Sequence, residues 1–248
     1  LFWLFSILDC YSPLRDILSN LKFLGQNLYM LIGIPLTYFR YGFRLPNVNN
    51  YTPSVYYSLP FTGKWFIVNG GIDKENSHSW RLCSQRYAYD FLIVNQNEQS
   101  FFKDGNELSS YFCYEQAVLA PADGTVIKVV DRFENTPIVG IGMADCAASD
   151  LRGNHIIIKH SKSEYSLIAH LSPNSICIKK GDRVCRGQII AKCGNSGNTS
   201  EPHIHFQIQS SPNFYLSAGL PICFQNIKID DHEQIKGYIT KGHYVENI

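Results

Sequence analysis

The chain is 248 residues long, 45% hydrophobic and 13% aromatic, enough to bury a sizeable core in one large domain or one domain with appendages. Its 22 basic and 21 acidic residues leave a net charge of +1 with no Lys/Arg run, which speaks against a nucleic-acid partner. The 8 cysteines form no C-x-x-C pair, which speaks against a structural zinc ribbon or a thioredoxin-like site.

Residues 1–60 are aromatic-rich and differ from the rest of the chain. "LFWLFSIL" (Leu1 to Leu8) reads either as the tail of a membrane helix or signal sequence, or as a hydrophobic arm packed on the domain or on another protein. Leu14 to Leu24 has helix-compatible spacing. "LYMLIGIPLTYF" (Leu28 to Phe39) is apolar but contains Pro35 and is shorter than the roughly 20 residues a spanning helix needs. Membrane association through this N-terminal region is one expectation, and packing of the arm is the other. A Pro/Asn/Tyr-rich extended stretch runs from Leu45 to Pro60. A boundary near Pro60 is expected to divide the 1–60 arm from a 61–248 domain.

From Trp65 onward short β-branched runs alternate with Gly, Asn, Asp and Pro: "KWFIV", "AYDFLIV", "AVLA", "GTVIKVV", "NHIIIKH", "YSLIAHL", "QIIAK" and "HIHFQI". Runs of this length without helical periods between them predict a mainly β domain, a sandwich or barrel, behind a partly helical, aromatic-rich extension. The stretch from Asn95 to Glu115, with its "KDGNE" turn signal, reads as an excursion between two strands. The tail from Pro212 to Ile248 reads as turns and short extended pieces.

Two histidines one residue apart in "EPHIHFQI" raise the question of function. On a strand His203 and His205 share a face, while Ile204 and Phe206 point to a core. Such a pair is either structural, or one member holds a metal while the other works on a substrate. Asp90 lies in the apolar run "YAYDFLIV", where a carboxylate is costly unless paired with a cation, capping a turn or meeting an arginine. His78 in "NSHSW" and His170 in "YSLIAHLSP" are the other candidates. Imidazole and carboxylate both offer lone pairs to zinc, and a catalytic zinc keeps three protein ligands and one open position.

"VLAPADGTVIKV", "GNHIIIKH", "YSLIAHLSPNS" and "KKGDRVCRGQIIAKCGNSGNTSEPHIHFQI", in this order, resemble the lysostaphin-type (LytM-like) zinc endopeptidases of peptidoglycan, over about residues 65–210. The resemblance implies an antiparallel β-sandwich/barrel-sandwich hybrid and a cell-envelope or extracellular location, with peptidoglycan peptides as substrate. It also implies Zn2+ held by His78, Asp90 and His205, with His170 and His203 facing the scissile bond. One departure stands out: many family members have His four residues before the aspartate, where this chain has Arg86, which has no lone pair for a metal. His78 is the nearest upstream histidine, with His155, His160, His232 and His243 left unassigned. No H-E-x-x-H motif is present, so an imidazole, His170 or His203, has to serve as base or oxyanion donor. Two rival readings remain. One is a LytM-like domain without activity that binds or regulates. The other, suggested by "APADGTVIKV", is a biotinyl/lipoyl-like carrier, although the Met-Lys-Met and Asp-Lys-Ala tripeptides of such carriers are missing.

Overall fold

The computed structural model describes residues 17–136, 139, 144 and 148–248. Leu1 to Leu8, Cys10 and Cys146 lie outside them. Among the described residues the first element is helix α1 (Ile17–Arg40), which runs well beyond Leu24 and is continuous through Pro35; Leu14 to Asp16 lie outside the described residues. Arg40 in its last turn complements the helix dipole. The helix stops at Gly42, whose φ of +56° suits the left-handed residue after a helix C-terminus, and the Phe43 amide closes back on the Tyr38 carbonyl at 2.8 Å.

Twelve strands follow among the described residues: β1 (Trp65–Asn69), β2 (Tyr89–Leu92), β3 (Ala117–Leu119), β4 (Gly124–Val130), β5 (Asn154–Lys159), β6 (Tyr165–Leu171), β7 (Arg183–Val184), β8 (Ile189–Lys192), β9 (Ile204–Gln209), β10 (Phe224–Ile229), β11 (His232–Gly237) and β12 (Tyr244–Asn247). Ten of them form one antiparallel sheet in the order β11-β10-β12-β1-β2-β9-β6-β5-β4-β7, and β3 pairs with β8 in a small second sheet. The Asn95 to Glu115 excursion lies between β2 and β3 and holds a 3-10 turn at Leu108–Ser110. The tail supplies β10, β11 and β12, a larger share of the sheet than its irregular sequence suggests.

The large sheet is buried on both faces at its centre. Ile156 and Ile158 of β5, with Ile204, Phe206 and Ile208 of β9, face the main core, which Val118, Ile190 and Ala191 of the small sheet share. Ile157, between them, joins a second cluster on the opposite face with Leu167, Ala169, Phe214 and Met30 of α1. α1 sits tightly on this second face. A Cβ on Gly33 would fall 2.1 Å from the Tyr215 carbonyl oxygen. Gln26 donates to the Ser149 carbonyl at 3.0 Å and accepts from the Leu151 amide at 2.9 Å. The extended stretch before β1 threads into the main core through Tyr57, Leu59 and Phe61. It is tied there by the buried Glu164, which accepts from the Ser54 amide at 2.6 Å, the Tyr57 hydroxyl at 3.1 Å and the Tyr51 hydroxyl.

Candidate active site

β2, β9 and β6 are neighbours, and their register builds one cluster. Asp90 lies directly opposite His205, and His205 directly opposite Ala169, so these three share a face. That face of β9 carries His205, Gln207 and Gln209, all buried, while its apolar residues fill the main core. Simple alternation would turn His170 to the face opposite Ala169. Between β5 and β6, however, the step Asn154 to Ile156 is matched by Leu171 to Ile168, so β6 carries one extra residue. This bulge, with His170 at φ +62°, turns its ring back over the cluster. The His170 ring centre lies 4.7 Å from that of His203 and 5.8 Å from that of His205.

Three histidines surround the Asp90 carboxylate. His205 Nδ1 is 2.9 Å from Oδ1, His203 Nε2 is 3.6 Å from Oδ1, and His78 Nδ1 is 3.7 Å from Oδ2. All five expected residues line one cleft of about 390 Å³. His78 reaches it from the turns between β1 and β2 with its side chain half-exposed. Arg86 does not line it: the guanidinium donates to the Trp80 carbonyl at 3.2 Å and the Tyr38 hydroxyl at 3.0 Å, and stacks on the Trp80 ring. The four unassigned histidines also lie outside the cleft.

Charge follows from these contacts. Burial acts to raise the Asp90 carboxyl, but the His205 hydrogen bond and the nearby His205, His203 and His78 outweigh it and hold the carboxyl well below the usual range. Burial acts to lower His205, and the same bond to Asp90 overcomes it, so His205 is raised. His170 is pushed well down, by burial first and then by His203 and His205. His78, half-exposed though its side chain is, is lowered chiefly by the partial loss of water around its ring, against the pull of Asp90.

The hydrogen-bond directions assign the tautomers. Gln209 donates to the Ser211 carbonyl at 2.7 Å, so its own oxygen accepts from the Gln207 amide at 2.8 Å. Gln207 also donates to the Ser84 carbonyl at 3.1 Å, which leaves its Oε1 facing His205 Nε2 at 3.0 Å. His205 Nε2 must therefore carry a proton, and the Nδ1 lone pair faces the Asp90 carboxylate, acceptor to acceptor. Such a pair needs a cation between its members, a proton or a metal. His170 Nδ1 donates to the Ser196 carbonyl at 2.8 Å, and His203 Nδ1 to the Glu201 carbonyl at 2.9 Å. His170 thereby keeps its Nε2 lone pair for the cleft, while His203 turns its Nε2 toward the Asp90 carboxylate, 3.6 Å from Oδ1.

Among the described residues no three His, Cys, Asp or Glu side chains surround a common point as a finished metal cage. The donor set of His78, Asp90 and His205 nonetheless fits zinc in its chemistry. Two imidazole nitrogens flank one carboxylate, His205 Nδ1 at 2.9 Å from Oδ1 and His78 Nδ1 at 3.7 Å from Oδ2, and both residue types are ordinary zinc donors. Sequence reasoning did not single out Gln207, the Ser196 carbonyl, or Asn69, which donates to Asp90 Oδ2 at 3.3 Å. Of these only Gln207 leaves a trace, as the next same-face residue after His205.

An antiparallel β domain that gathers four histidines and a buried aspartate over the centre of its sheet has the architecture of a LytM-like peptidase. Residues 109–215, somewhat under half of the chain, match peptidase family M23, and this segment is similar to that LytM-like family. The match takes in His170, His203 and His205 but begins after His78 and Asp90, which rest on geometry alone. The chain is 35% identical to the peptidoglycan DD-endopeptidase ShyA of Vibrio cholerae over 72 residues, 28% of this chain and 16% of that protein. It is 27% identical to the NlpD/LppB homologue of Buchnera aphidicola over 141 residues, 55% of this chain and 37% of that protein. The chain thus spans well under half the length of these curated relatives. A zinc-containing peptidase from Vibrio cholerae of known structure is 22% identical, with a TM-score of 0.39 over 67% of this chain and 41% of that one.

Proposed function

We propose that this protein is a zinc-dependent endopeptidase that hydrolyses peptide bonds of bacterial peptidoglycan, in the cell envelope or outside the cell. The observation that carries this is the convergence of His78, Asp90 and His205 with two further histidines whose Nε2 atoms face the same cleft. The match of residues 109–215 to family M23 and the ShyA relative, named as a DD-endopeptidase of peptidoglycan, support the substrate class.

His78, Asp90 and His205 hold the metal in this reading. Bound zinc supplies Lewis acidity, drawing the pKa of water down to about 7 and polarising a carbonyl. Asp90 stays ionised because three imidazoles surround it, so it remains a ligand at neutral pH. His170, held neutral by burial, offers Nε2 to take the proton from the attacking water or to give one to the leaving amine. His203, anchored at Nδ1 by the Glu201 carbonyl and 3.2 Å from the Thr199 hydroxyl, presents Nε2 to the same space. Either imidazole stands where the oxyanion or the departing amine needs a partner.

The test is digestion of defined muropeptides by the purified chain, with sequencing of the new termini, before and after chelation and zinc restoration. Cleavage that is lost on chelation and restored by zinc supports the reading. Zinc binding without cleavage would leave a binding or regulatory domain, and no zinc after reconstitution overturns the peptidase altogether.

A further inference from the structure

Helix α1 is apolar on the face it turns to solvent. Leu21, Leu24, Leu28, Ile32, Leu36 and Phe39 recur every three or four residues and are 49–78% exposed. The opposite face, with Gln26, Met30, Gly33 and Thr37, is the one packed on the sheet. A surface helix ordinarily shows a polar outer face, and a continuous exposed apolar stripe marks an interaction site. From Leu21 to Phe39 the stripe is about 27 Å long at the α-helical rise.

The charges around the stripe say what covers it. Lys22 and Arg40 are both exposed and, five helical turns apart, lie along the same edge of the stripe, with Arg44 just beyond the helix. Residues 17–72 contain no Asp or Glu. An antiparallel second copy of this face would meet apolar with apolar but would set Lys22 against Arg40, and a parallel copy would leave those cations without a partner. A bilayer surface takes the leucines into the acyl boundary while the long basic side chains reach the phosphates. No helix among the described residues is long and apolar enough to cross a membrane, so α1 suits a position in the plane of the interface.

We propose that α1 is an interfacial membrane-binding helix that docks the domain on anionic phospholipid through this stripe. Gln26 links α1 to Ser149 and Leu151, and Leu151 lines the histidine cleft, so a seated helix fixes the cleft relative to the lipid surface. The proposal does not depend on the peptidase reading.

The test is co-sedimentation of the full chain with phosphatidylcholine vesicles and with phosphatidylglycerol-rich vesicles. Wild-type protein is expected to partition onto the anionic vesicles. Leu24→Gln/Leu28→Gln is expected to weaken this about tenfold or more. Lys22→Gln/Arg44→Gln is expected to weaken it by roughly fivefold per cation, and only on anionic vesicles. The indole introduced by Leu28→Trp is expected to be quenched by brominated acyl chains, which reports insertion even if the double glutamine variant fails to fold. The proposal is overturned if the wild type does not partition, if the folded Leu24→Gln/Leu28→Gln variant partitions undiminished, or if the indole is not quenched. It is also overturned if the stripe substitutions abolish a dimer in sedimentation while vesicle binding is absent.

Discussion

His205 and Gln207 are two residues apart on β9, and the amide chain from Gln207 through Gln209 to the Ser211 carbonyl decides which imidazole nitrogen is free for a metal. Partners that orient a metal-binding histidine typically matter by about 10–100-fold in metal affinity. Gln207→Met keeps the size and removes the acceptor, so zinc affinity measured by chelator competition should fall by that order, while Gln207→Glu, which retains an acceptor, should fall less. The five cleft residues should separate in the same assay. His205→Ala, His78→Ala and Asp90→Ala should lose zinc and activity together. His170→Ala and His203→Ala should keep zinc and lose about 10²–10⁴ in turnover, the usual contribution of an acid–base group. Zinc loss in His203→Ala with retention in His205→Ala would reverse the two roles. Arg86→Ala should leave zinc in place, because its guanidinium is engaged with Trp80 and Tyr38. Asp90 and the pair His203 and His205 stand out in the sequence by composition and period, whereas His78 and His170 join them only through the resemblance to the LytM-like peptidases. The tautomers were not, because they depend on where Ser84 and Ser211 place their carbonyls.

Strand alternation made β1 to β6, β8 and β9 legible, because apolar residues at period 2 leave few other structures open. It failed where the ladder is irregular. The extra residue in β6 that re-aims His170 has no sequence signal: "LIAHL" reads as plain alternation, and the bulge shows only in the register against β5 and the φ of +62°. The tail reads as turns and short extended pieces, and not as the three paired strands β10 to β12, because a run such as "HEQIKG" of β11 has no apolar period. The helix was underestimated because Pro35 reads as a breaker, yet it stands on the solvent side of α1, where losing one amide hydrogen bond is less costly. Helix docking itself depends on Gly33. The Cβ of Gly33→Ala would stand 2.1 Å from the Tyr215 carbonyl oxygen, a backbone atom that cannot swing aside as a side chain would, so α1 must move outward. Overpacking of this kind typically costs about 1–3 kcal/mol. Denaturant unfolding of Gly33→Ala should show a loss of that order with zinc content unchanged, and a variant as stable as wild type would mean that α1 is loosely seated.

At the scale of the whole molecule, acid should weaken the fold through histidines buried without charge. His155 on β5 is fully buried, its Nδ1 donates to the Gly153 carbonyl at 2.7 Å, and among the described residues Nε2 has no hydrogen-bond partner. Burial, and then the neighbouring Arg152, push it from the ordinary 6.5 down to about 3, with Asp150 pulling the other way and Lys128 adding to the push. Between those two values the unfolded chain takes up a proton that the folded chain refuses. The stability His155 contributes is therefore complete above about pH 6.5 and is lost progressively as pH falls toward 3. His160, lowered chiefly by burial, acts with the same sign from the same starting point. Asp150, which burial tends to raise but its bonds to Arg152 hold low, adds a loss of the same sign only below 3.8. His205 is raised and works in the opposite direction, and zinc release in acid adds a further change, so the wild-type curve alone does not isolate His155. The difference between wild type and His155→Gln does, because those contributions are common to both. At pH 7 His155→Gln should be the less stable of the two, having lost the bond to Gly153. From pH 7 to pH 4 its melting temperature should fall less steeply, and the gap between the proteins should narrow. A gap that stays constant across that range would show that His155 gains its proton without penalty inside the folded domain.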